Sequence, residues 1–73
     1  MTAIARALVD ARHALADVDR RLTEADHALH DGQEACTALW DALNYCEVAG
    51  AHIRVAVAIQ DAQRRMTLRG ADQ

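Results

Sequence analysis

The sequence contains no proline, phenylalanine, serine or lysine, and Trp40 and Tyr45 are its only aromatic residues. Without proline, nothing in the chain forces a helix to stop. Without serine, no serine nucleophile exists. Gly32, Gly50 and Gly70 are isolated from one another, so no glycine-rich loop can cradle a phosphate. Two cysteines, Cys36 and Cys46, are too few for a disulfide framework. No uncharged apolar run approaches the ~18 to 20 residues that span a bilayer. Asp10 and Arg12 interrupt the N-terminal apolar stretch too early for a signal peptide, which makes the cytoplasm the expected compartment. A formal charge of −3 gives no general attraction to nucleic acid or anionic lipid, and neither is an expected partner.

Alanine is what the sequence has in excess, at 17 of 73 residues, and 52% of the chain is hydrophobic. That is too apolar for disorder, short enough for one domain over residues 1–73, and strongly helix-favouring. Arginine supplies every basic residue. Together with the alanine content, this points to a GC-rich bacterial genome.

From Ile4 one spacing repeats: Ile4, Leu8, Ala11, Leu15, Val18, Leu22, Ala25, Leu29. Steps alternating four and three make a heptad seam, predicting a first helix over about 3–30 with Thr2 as its N-cap. Small residues at Ala7, Ala14 and Ala28 flank that seam and permit close approach of another helix. Arg6–Asp10, Asp17–Arg21 and Arg20–Glu24 fall at i,i+4 on the outer faces. Gly32 suits the left-handed conformation that ends a helix. Asp31 and Glu34 have capping-box spacing, predicting a turn at 31–32 and a second helix from about 33 to 69. A turn this short makes the helices antiparallel neighbours. Arg64, Arg65 and Arg69 suit that helix's C-terminal end, followed by Gly70 and a frayed tail over 70–73.

The second helix carries two apolar stripes. One reads Cys36, Leu39, Leu43, Cys46, Gly50, Ile53, Val57, Gln60 and is expected to pack on the first helix. The other reads Val48, His52, Val55, Ile59, Ala62, Met66 and is expected to face a second chain, since one helix cannot cover both. The fold class is therefore all-α: an antiparallel helical hairpin with heptad packing that dimerises into a four-helix bundle. The alternative is a three-helix bundle broken near Gly50. Alternation over Ile53, Val55, Val57 and Ile59 also fits a strand, but the alanine-rich surroundings favour helix.

Several residue types have chemical potential. His27 and His30, beside Asp26, Asp31 and Glu34 and with Cys36 one turn into the next helix, form a candidate Zn²⁺ or Ni²⁺ set, although solvated surface histidines are the simpler account of them. Cys36 and Cys46 lie ~15 Å apart along one helix, too far for a mutual disulfide, and read as small hydrophobes in the seam. His52 interrupts the second stripe, where it would serve as a pH-sensitive interface histidine or a neutral core one. Trp40 and Tyr45 read as packing at the widest layer or as a partner anchor. Neither the Trp-x-Gly turn of secreted helical hairpins nor the Cys and His spacing of copper-sensing helical repressors is present. No cofactor is expected, and catalysis is not. The expectation is a non-catalytic oligomerisation module, an adaptor, regulator or assembly subunit that forms a homodimer or docks on a larger protein. A small metal- or ligand-binding sensor using His27, His30, Cys36 or His52 is the alternative.

Overall fold

The structure, a computed structural model, describes residues 2–71, with side chains as far as Leu68. It is a hairpin of two helices, α1 (Ala3–His30) and α2 (Cys36–Ala71). Thr2 begins α1: its hydroxyl accepts from the Ala5 amide at 3.1 Å, satisfying one of the four amides a helix start leaves open. Gly32 closes α1 at φ +70°, the only positive φ among the described residues. There the Gly32 amide donates to Leu29 O at 3.1 Å and the Gln33 amide to Ala28 O at 2.7 Å, a Schellman ending.

That ending uses Asp31 as the C-cap of α1, so Asp31 is not free to cap the next helix. The expected capping box does not form. Instead the Glu34 carboxylate accepts from the Cys36 amide. α2 starts at Cys36, three residues later than expected, after a connection of residues 31–35. It runs through Gly50 without a break, excluding the three-helix alternative, and the Ile53–Ile59 stretch is helical. It also passes the expected end at Arg69 and reaches Ala71. The Arg69 side chain and the tail residues 72–73 lie outside the described residues. Arg6–Asp10 pairs as expected at 3.5 Å, whereas Arg20 pairs with Asp17 and Arg21 with Glu24, both at i,i+3.

The helices meet through alanine. Among the described residues every buried one is alanine: Ala7, Ala11, Ala14 and Ala25 from α1, Ala35 from the connection, and Ala42, Ala49 and Ala56 from α2. The α2 set recurs at every seventh position, so it forms one straight row along the helix. Ala38, Tyr45, His52 and Ile59 form the adjacent row and are half-buried. On α1, Ala7, Ala14, Arg21 and Ala28 make one row and Ile4, Ala11, Val18 and Ala25 the other. A methyl side chain lets two helix backbones approach closely, so contact runs from Ala7 to Ala25 and from Ala35 to Ala56 with little apolar volume enclosed.

This corrects the expected seams by one row on α1, where Ala7, Ala14, Arg21 and Ala28 take the place of the leucines, and by both rows on α2, a turn of about 100°. Leu8, Leu15 and Leu22 remain about half exposed and Leu29 is 63% exposed. Leu39, Leu43, Ile53 and Val57 also stay open, and Cys36 and Cys46 are exposed free thiols rather than core hydrophobes. Helix faces separated by one heptad step differ by about 50°, enough to turn a side chain from the seam to the surface.

Candidate interaction surface

In an antiparallel pair, corresponding flanks of the two helices turn to the same side. The α1 row Leu8, Leu15, Leu22, Leu29 therefore lies beside two α2 rows: Leu39, Cys46, Ile53, and Cys36, Leu43, Gly50, Val57. Near the open end, Leu8 lines a shallow groove of about 400 Å³ with Ile53, Ala56 and Val57, closed at its far side by Gln60, Asp61 and Arg64. A second groove of about 230 Å³ lies among Cys36, Leu39, Trp40 and Leu43. These three rows carry no charged residue from Cys36 to Val57 or from Leu8 to Leu29. Charge begins at the flanks, with Arg12, Asp19 and Asp26 along α1 and Glu47, Arg54 and Asp61 along α2. Trp40, 65% exposed, stands on that α2 flank rather than in a packed layer.

The other side of the hairpin is narrower in apolar surface. Val48, Val55 and Ala62 are exposed there, and Met66 is 71% exposed. His52 and Ile59 are half-buried next to the alanine seam, so two of the six residues expected to face a second chain are partly occupied within the hairpin. The α1 rows on this side carry Asp10, Asp17 and Glu24, which break the surface with charge.

A polar tie crosses the seam at one level. Arg21 occupies a position that alanine fills at Ala7, Ala14 and Ala28. Its guanidinium is held above its ordinary pKa, first by the hydrogen bond to Glu24 and then by the nearby Tyr45 hydroxyl and Asp41 carboxylate of α2. Its Nε is enclosed without a hydrogen-bond acceptor, 3.8 Å from the Asp41 carboxylate. No sequence signal marks this tie, because Arg21 reads as an outward residue in a leucine-centred heptad. With the turn, it sets the register: residues whose numbers sum to about 66 lie at one height.

The expected metal set is not assembled within the chain. His27 and His30 are exposed on the last turn of α1, and His30 Nδ1 donates to Asp26 O at 2.9 Å. Cys36 opens α2, where the Glu34 carboxylate beside its sulfur pushes the thiol pKa up, the hydrogen bond contributing more than the charge. Among the described residues, no three His, Cys, Asp or Glu side chains converge on a position that could hold a metal ion.

No family model, curated protein or solved structure matches this chain. Its physical properties must therefore carry the reading. The accessible surface is 5726 Å², about 1,300 Å² more than a compact chain of 8.0 kDa exposes. The radius of gyration is 18.0 Å, against about 11 Å for a compact domain of this length. Among the described residues no helix is long and apolar enough to cross a membrane.

Proposed function

We propose that the protein is a non-catalytic interaction module, and that its working form is a homo-oligomer in which leucine faces pack together as a four-helix bundle. The observation that carries this reading is the contrast between an all-alanine core and a continuous uncharged surface of half-exposed leucine, isoleucine and valine. A lone hairpin buries too little apolar volume to offset the ordering of its own backbone, whereas two hairpins face to face enclose a core of ordinary aliphatic side chains. Each partner in a standard interface gives up about 800 Å², well within the surplus surface of this chain. An adaptor, a regulator or an assembly subunit uses such a bundle as a rigid rod with its charged flanks and tips outward. The two free thiols suit a reducing compartment, and the cytoplasm is the proposed location.

This reading moves the interface from the Val48–Met66 stripe to the leucine face, because the latter draws rows from both helices. Sedimentation equilibrium over a hundred-fold concentration range tests it. A dimer or even-numbered assembly supports the reading. A monomer throughout overturns it, and a monomer that gains mass only with a second protein present replaces self-pairing with a heteromeric partner.

A further inference from the structure

We infer that the second copy docks with its turn at the opposite end of the bundle, about a two-fold axis passing between Leu15 of α1 and Gly50 of α2. This rests on the self-pairing proposed above and adds the docking order to it.

Two hairpins can meet face to face around a two-fold axis in two ways. With both turns at the same end, α1 lies against the partner's α2 at the register already seen within the hairpin. Arg12 then faces the partner's Arg54, and Asp19 faces the partner's Glu47, at heights set by the sum of about 66. Like charge meets like charge on both edges. With the turns at opposite ends, α1 lies against the partner's α1 and α2 against the partner's α2. An axis near Leu15 and Gly50 then sets Arg12 beside the partner's Asp19, and Glu47 beside the partner's Arg54. Both pairs occur twice by symmetry, and one axis height satisfies both helices because 15 and 50 sum to about 66 in the same register.

The apolar rows fit the same axis. Leu8 meets the partner's Leu22, Leu15 meets its own copy, and Leu43 meets the partner's Val57. Gly50 meets its own copy where the two α2 helices cross. Gly50 is the second, independent observation. Glycine is the poorest helix former except proline, yet it stands in mid-helix with no positive φ. Nothing in its own chain requires it: a Cβ there would find only an Arg54 Nη2 atom, 3.9 Å away. A missing side chain that no intrachain neighbour demands is explained by a backbone arriving from outside. A face free of charge from Cys36 to Val57, with edges that pair only against their own reversed copy, fits a second copy of this chain better than an unrelated protein.

The test is the distance between the two turns. A nitroxide is placed at Gln33→Cys in a chain with Cys36→Ala and Cys46→Ala, and measured by double electron–electron resonance alongside native mass. At 1.5 Å per residue from Leu15 to the turn, the opposite-end dimer separates the labels by about 50 Å, while the same-end dimer holds them within about 25 Å. Dimer mass with the long distance supports the inference. Dimer mass with the short distance overturns the docking order and leaves self-pairing standing, and a monomer overturns both. Arg54→Glu provides an independent check without labels. It is expected to weaken association about tenfold, with Glu47→Arg in the same chain restoring it. Tighter association of Arg54→Glu alone would overturn the inference, because same-end docking relieves a repulsion there.

Discussion

Leu15→Glu separates the stability of the hairpin from that of its assembly. Leu15 is 49% exposed in the hairpin, so about half of its burial is left for a partner to complete. Full burial of a leucine contributes roughly 1.5 to 3 kcal/mol, which makes the partner's share about 1 kcal/mol per protomer. A glutamate in its place loses that and brings an unpaired carboxylate into a closed apolar face, at a further cost of about 2 kcal/mol or more. Two-fold symmetry doubles both effects. The dimer is therefore destabilised by about 6 kcal/mol, a roughly 10⁴-fold rise in Kd at 1.4 kcal/mol per decade. The hairpin itself is spared, since the site stays half open in one chain and glutamate is a good helix former. Sedimentation velocity with far-UV circular dichroism reads both quantities. The expected result is a helical monomer at concentrations where the unmodified chain is a dimer, with Ala58→Glu on the outer row unchanged in mass. A Leu15→Glu chain that keeps its native mass would refute the face assignment.

Four further outcomes follow from the same geometry. Ala42→Leu places three extra carbons in the buried seam, where Ala42 is 4% exposed, and is expected to cost about 1 to 3 kcal/mol by overpacking. At roughly 4 to 8 °C per kcal/mol for a chain this small, the melting temperature falls by at least 4 °C, and an unchanged Tm would contradict an alanine seam. Val55→Glu lies on the side away from the leucine rows and is expected to retain the oligomer's mass; dissociation would return the interface to the Val48–Met66 stripe. Gly50→Ala is expected to raise the Tm of the monomeric Leu15→Glu chain, by removing a helix-interior glycine worth about 1 kcal/mol, and to weaken association of the otherwise native chain; tighter association would argue against a backbone crossing there. Glu34 raises the Cys36 thiol pKa, so the thiol stays protonated to higher pH than an ordinary cysteine. In the Leu15→Glu background, Glu34→Gln is expected to shift the pH midpoint of Cys36 alkylation downward, and an unmoved midpoint would remove the contact.

The elements were legible in the sequence because their signals are local. Thr2 at the start of α1, Gly32 at its end and the absence of proline through the rest are each read within a few residues. The start of α2 was read three residues early because Asp31 has two possible roles, and the Schellman ending commits it to α1. What periodicity does not contain is phase. The leucine rows and the alanine rows repeat with the same period of seven, so spacing alone does not say which row turns toward the other helix of the hairpin. Choosing the larger residues as the seam follows the usual weight of apolar volume. In this hairpin the small residues make the intrachain contact and the large ones are left facing outward. Arg21 was missed for the same reason, since its place in an alanine row is visible only once that row is known to be the seam. The leucine face was therefore present in the sequence as a pattern and assigned to the wrong neighbour.

In the proposed assembly this chain completes its core with a second copy of itself. Native mass spectrometry of the unmodified protein tests it most directly. The expected species has a mass of about 16 kDa, twice the 8.0 kDa chain, with nothing further bound. An 8.0 kDa species that persists at every concentration would contradict it.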